Sequence, residues 1–263
     1  MTRANWIRSL SLTAVAIVIG WGGAAIPAVA ADASKPAAAP AAPATPAAMG
    51  NATITGKVMF EGPVPPTPKI KMDADPVCLS QHGDAIHAQN LVVNNKGVRY
   101  AFIFVVNGLP GGQTYAAPKT PAIFDQVGCL YEPHVLGVQV GQPVEIRNSD
   151  GTLHNVNAKP AQSAAFNLAM PTKGMKISKS FTAPEIMVPV KCNVHPWMQA
   201  YIGVIAHPFF AVSGADGSFS IKGLPAGTYM IEVWHESLGT QTQTVTVADG
   251  ESAAANFTFG KAA

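Results

Sequence analysis

Between Cys192 and Met198 the chain runs Cys192, Asn193, Val194, His195, Pro196, Trp197, Met198, and another histidine, His154, precedes it by 38 residues. A thiolate, two imidazoles and a thioether are the donor types of a trigonal His₂Cys copper site with a weak axial methionine. Thiolate and thioether suit Cu(I), imidazole accepts both oxidation states, and a distant thioether lets the ion change charge with little rearrangement. The donor set therefore points to redox chemistry.

Positioning these donors falls to strands. The apolar run from Ile186 to Val190 predicts a strand that delivers Cys192, and Tyr201 to Ala206 predicts the next one, so three donors share one tight strand-to-strand loop. His154 follows the alternating run Val144, Glu145, Ile146, Arg147 and comes from a separate loop. A site built this way pins two strand ends together and is formed before metal arrives.

With these pieces in order, the chain resembles the cupredoxins, nearest to the amicyanin and pseudoazurin group, whose ligand loop has the same Cys-x₂-His-x₂-Met spacing. The resemblance runs from about Tyr131 to Ile205. It includes Tyr131, Glu132 and Pro133, then Val138 to Gly141, Val144 to Asn148, and His154, Asn155, Val156. It implies that His154, Cys192, His195 and Met198 bind one copper ion, and that Asn155 braces the two ligand loops by hydrogen bonding. It further implies that His195 lies at the surface inside an apolar collar of Pro196, Trp197, Phe166 and Met170, through which electrons leave. Pro189 and Lys191 depart from the family's aromatic or polar residues, a difference that bears on the potential rather than on ligation.

Plainer readings stand beside this one. Cysteine is frequently a small buried hydrophobe, and Met198 beside Trp197 is compatible with simple core packing. Zinc also accepts Cys and His, but structural zinc sites favour paired cysteines and lack a thioether. If Cys192 is the copper thiolate, the resemblance leaves Cys78 and Cys129 to pair in an oxidising compartment. Two buried free thiols, or a bond from Cys192 to one of them, stay open at this point.

The N-terminus carries Arg3 and Arg8, an apolar stretch from Leu10 to Ala25, and Ala28, Val29, Ala30 as a small-residue cleavage site. These are the three parts of a secretory signal peptide, residues 1–30. No other segment reaches the roughly 20 apolar residues of a spanning helix, so the expected product is periplasmic or extracellular, with no membrane span after cleavage. Residues 31–49 are almost entirely Ala and Pro and predict an extended tether. The full chain has 17 basic and 15 acidic residues, and loss of Arg3 and Arg8 leaves 15 of each. No basic face stands out, which argues against a nucleic-acid partner.

From Gly50 onward, strand-like runs separated by turn residues recur and no helical periodicity is sustained. Ile54, Val58 and Phe60 alternate with Thr55, Lys57 and Met59, and Tyr100 to Val106 is a continuous apolar run. The expected fold is all-β: a Greek-key cupredoxin sandwich plus a second small sandwich. The stretch from about Phe209 to Phe259, with its Asp216-Gly217 turn and Gly223, Leu224, Pro225, Ala226, Gly227, resembles the carboxypeptidase regulatory-like domain, a transthyretin-like sandwich. That family begins with a strand like Thr53 to Phe60. The expected divisions are thus an N-terminal β region at 50–122, a cupredoxin domain at 123–206 and the regulatory-like sandwich at 207–263, with the N-terminal strands as candidates for that last sandwich. Three consecutive β units are the alternative.

The remaining histidines carry less. His134 shares strand parity with Leu136 and Val138 and is expected inside, near one end of the sandwich, while His82, His87, His207 and His235 are read as surface or structural. No Gly-x-Ser-x-Gly elbow, His-Glu-x-x-His pair or His-x-His occurs, so a non-enzymatic role is expected. The resemblance implies a one-electron carrier between redox proteins, such as a c-type cytochrome or a dehydrogenase. A copper-delivery module and an envelope-binding protein with a structural metal are the alternatives.

Overall fold

Strand Ala52–Glu61 organises one half of the molecule. Its residues Ala52, Ile54, Val58 and Phe60 are buried while Lys57 and Glu61 face water, the period of two that a half-buried strand requires. In the computed structural model, which describes residues 45–82 and 86–260, this strand pairs antiparallel with Ser218–Leu224 and Gly97–Val98 and parallel with Ser252–Ala254 and Phe257–Gly260. The facing sheet orders Phe210–Val212, Phe102–Asn107, Gly227–His235 and Gly239–Val247. Ile54, Val58, Ile103, Tyr229, Ile231 and Phe257 fill the space between. Strands from both ends of the described chain thus form one sandwich.

The strands of the second sandwich all lie within residues 122–205. One sheet runs Lys176–Lys179, Val144–Asn148, Ala122–Val127, Leu130–Glu132; the other runs Phe166–Met170, His154–Ala158, Glu185–Lys191, Gln199–Ile205, Val135–Gln139. Phe124, Ile146, Val156, Val188, Val190 and Ile202 form its core, each side chain contributing about 1.5–3 kcal/mol by leaving water. Ala122–Val127 and Leu130–Glu132 are joined by Gly128 (φ 64°) and Cys129 (φ 54°), the double left-handed pair of a type I′ turn.

The two sandwiches share an aromatic seam of Tyr100, Phe102, Phe104, Val135, Met187 and Ile205. Gly137 and Gly203 pair in register there, and a Cβ on Gly203 would lie 2.6 Å from Cζ of Phe102. Absent side chains make the space that the rings of Phe102 and Phe210 occupy. His134 bonds through Nε2 to Glu236 across the same seam, and both groups are buried.

The all-β expectation holds, with one short helix, Pro76–His82, among the described residues. No helix among them is long and apolar enough to cross a membrane. The expected signal peptide at 1–30 lies outside the described residues, as does most of the expected tether. Its end behaves differently from a tether, since Thr45–Pro46 pairs parallel with Gln113–Thr114. The stretch 50–122 is also divided: its strands from Ala52 to Asn107 join the first sandwich, while Met72 and Cys78 pack into the core of the second.

Candidate metal centre

Strands Glu185–Lys191 and Gln199–Ile205 are antiparallel neighbours with Lys191 opposite Gln199, so Cys192 to Met198 form the loop that closes them. The loop fastens itself: the N–H of Cys192 donates to Met198 O at 3.1 Å, and the N–H of Met198 donates to His195 O at 3.0 Å. The N–H of His195 points to Cys192 Sγ at 3.4 Å. His154 begins the adjacent strand His154–Ala158. Asn155 ties the two elements, its Oδ1 accepting the N–H of Asn193 at 2.6 Å and lying 3.4 Å from Cys192 Sγ.

Three donors converge. His154 Nδ1 and His195 Nδ1 are 2.9 Å apart, Cys192 Sγ is 3.9 Å from His195 Nδ1, and one ligand atom from each residue falls within 4.8 Å of the others. All three residues are buried, as is Met198, and Cys192 is a free cysteine. A thiol, two imidazoles facing each other through the same ring nitrogen and a thioether on the same short loop fit a soft, borderline metal such as copper.

The outer faces of both rings end on carboxylates. His154 Nε2 donates to Asp150 Oδ2 at 2.9 Å, and His195 Nε2 donates to Asp75 Oδ2 at 3.0 Å. Asp150 also accepts the N–H groups of Gly128 and Cys129 at the type I′ turn. Asp75 also accepts the hydroxyl of Thr152 at 2.7 Å and the N–H of Val77 at 2.8 Å. Burial alone would raise the pKa of Asp75, but these donors outweigh it and hold the group down at about 2. Burial likewise opposes charge on His154, yet Asp150 and Cys192 outweigh it and lift the ring to about 9. Burial drives His195 the other way, below its ordinary value. The two rings are thus driven in opposite directions, His154 toward the charged form and His195 away from it.

His195 departs from expectation. It is 2% exposed instead of presenting a ring edge to solvent. A cover made of Asp75 and the helix Pro76–His82 lies over it, with Cys78 Sγ 3.8 Å from His195 Nε2. Cys78 is joined to Cys129 by a disulfide, His82 bonds Gly128 O, and Gln81 Nε2 reaches Asp150. The expected collar is also rearranged. Met170 is fully buried opposite His154, and Phe166 sits four residues farther along the same pairing, packed on Phe181 away from the donors. Trp197 keeps a place beside His195, with ring centroids 5.0 Å apart. His134 belongs to the seam between sandwiches, and His235 is buried.

Asp75 and Asp150 are absent from the sequence reading. Asp75 precedes Pro76, a cap-then-proline signal for a helix start, which marks a local element and nothing about a ring 120 residues away. Asp150 lies in the turn before His154, where it reads as turn chemistry.

Residues 200–260 match the carboxypeptidase regulatory-like domain family, beginning inside the last strand of the second sandwich. No curated protein matches the chain. Among solved structures it is similar to a purple cupredoxin from Nitrosopumilus maritimus, at 21% identity over 32% of this chain and 98% of that one, TM-score 0.28. It is similar to a mutant amicyanin in the Cu(I) form, at 26% identity over 32% and 81%, TM-score 0.29. A copper-containing nitrite reductase from Thermus scotoductus SA-01 is 25% identical over 38% of this chain and 25% of that one, TM-score 0.29.

Proposed function

We propose that this protein is an exported type 1 copper protein that carries single electrons between redox partners and is not itself an enzyme. The observation that carries the reading is the convergence of Cys192 Sγ, His154 Nδ1 and His195 Nδ1, buried and braced by Asn155. Bound copper supplies the one-electron Cu(II)/Cu(I) couple. The chain supplies the thiolate of Cys192, two imidazoles held at fixed angles by Asp150 and Asp75, the thioether of Met198 and a site closed to water. Rigid donors are what a carrier needs, since each rearrangement on electron transfer adds to the barrier.

The mature chain from Ala31, loaded with Cu(II), is expected to show an intense thiolate-to-copper band and narrow copper hyperfine splitting, both lost in Cys192→Ser. A colourless wild-type protein overturns the reading. The cover over His195 favours a second one, copper retention and delivery. A blue protein with no reversible electrochemistry would support it.

A further inference from the structure

We infer that Asp75 and Asp150 are positioning residues of the metal centre, each clamping the outer nitrogen of one copper imidazole so that the site favours Cu(II) and its potential is set low. The inference rests on the copper reading above. Each ring is held at both ends: His154 between the donor cluster and Asp150, His195 between the cluster and Asp75. A carboxylate accepting the N–H of a metal-bound imidazole fixes the tautomer and makes the ring a stronger donor. Its negative charge also stabilises the more positive oxidation state, and burial weakens the screening that water would provide. Asp75 comes from a part of the chain far from the ligands, on a cover tied down by the Cys78–Cys129 disulfide, and closes over the ring that would otherwise face solvent.

Both aspartates have local work as well, Asp75 at Val77 and Thr152, Asp150 at the Gly128–Cys129 turn. The test must separate charge at the imidazole from this scaffolding. Asp75→Asn and Asp150→Asn keep size and an acceptor oxygen while removing the charge. In the copper-loaded full chain, each is expected to raise the midpoint potential, the double variant more than either, with Cu(II) affinity measured by chelator competition falling about 10–100-fold per site. Folded, blue variants with the wild-type potential and affinity overturn the inference and leave the copper reading intact. A wild-type protein without the thiolate-to-copper band overturns both.

Should neither variant fold, nitrogen-15 histidine spectra of the wild-type Cu(I) protein decide. Two Nε2–H protons protected from exchange are expected; rapid exchange at both rings overturns the clamp.

Discussion

His154 Nδ1 stands 2.9 Å from His195 Nδ1, although the residues are 41 positions apart and one begins a strand while the other lies in the loop Cys192 to Met198. The same His154 ring bonds Asp150 at its other nitrogen. Removing the ring therefore affects both metal binding and the metal-free fold. In His154→Ala, Asp150 loses its imidazole partner at a buried position. The metal-free protein is expected to lose about 1–3 kcal/mol by denaturant titration, and the thiolate-to-copper band should vanish. Unchanged stability would mean that Asp150 is satisfied without the ring.

The disulfide closes a 51-residue separation between Cys78 and Cys129. In the chain-entropy description such a loop is worth about 4 kcal/mol. The double substitution Cys78→Ser, Cys129→Ser should lower stability by that order. It should also speed amide exchange in Pro76–His82, because the cover then loses its covalent tie and keeps only packing and side-chain hydrogen bonds such as those of Gln81 and His82. Exchange at the wild-type rate would show that the cover does not depend on the bond.

At the seam, Gly203 leaves room for Phe102, whose ring comes within 2.6 Å of where a Cβ would be, with Met187 Cε at 2.9 Å. Gly203→Val must push apart a packed aromatic and a methionine, and overpacking of this kind costs about 1–3 kcal/mol. Calorimetry is expected to show a lower melting temperature. A variant as stable as wild type would mean the seam yields freely.

Acid should act through His235. Burial is the main reason its pKa falls from 6.5 to about 4, so the folded chain holds this ring neutral. Between these values the unfolded chain binds more protons, so stability is present above pH 6.5 and is lost as pH falls through 4, by at most about 3 kcal/mol. His235→Gln should flatten that part of the stability curve, measured by urea titration from pH 7 to 4. An unchanged slope would assign the acid sensitivity elsewhere.

Much of the secondary structure is legible in the chain. Ile54, Val58 and Phe60, or Val144 and Ile146, carry their burial in a period of two because successive strand residues face opposite sides. The candidate donors are legible for a different reason, since few residue types bind a redox metal and Cys192, His195 and Met198 share one loop. The short helix Pro76–His82 and its role are not, because seven residues with a single buried side chain give no periodicity.

By itself, the sequence determined the all-β character, the loop that presents a thiol, an imidazole and a thioether together, and the Gly-rich turns, because each depends on neighbours a few residues apart. Only the tertiary structure decided that Asp75 and Asp150 receive the two rings, that a disulfide-tied cover buries His195, and that Ala52–Glu61 lies between strands from the far end of the chain. Those outcomes depend on which surfaces meet when apolar faces leave water, and long-range hydrogen bonds form only after that packing has brought their partners within reach.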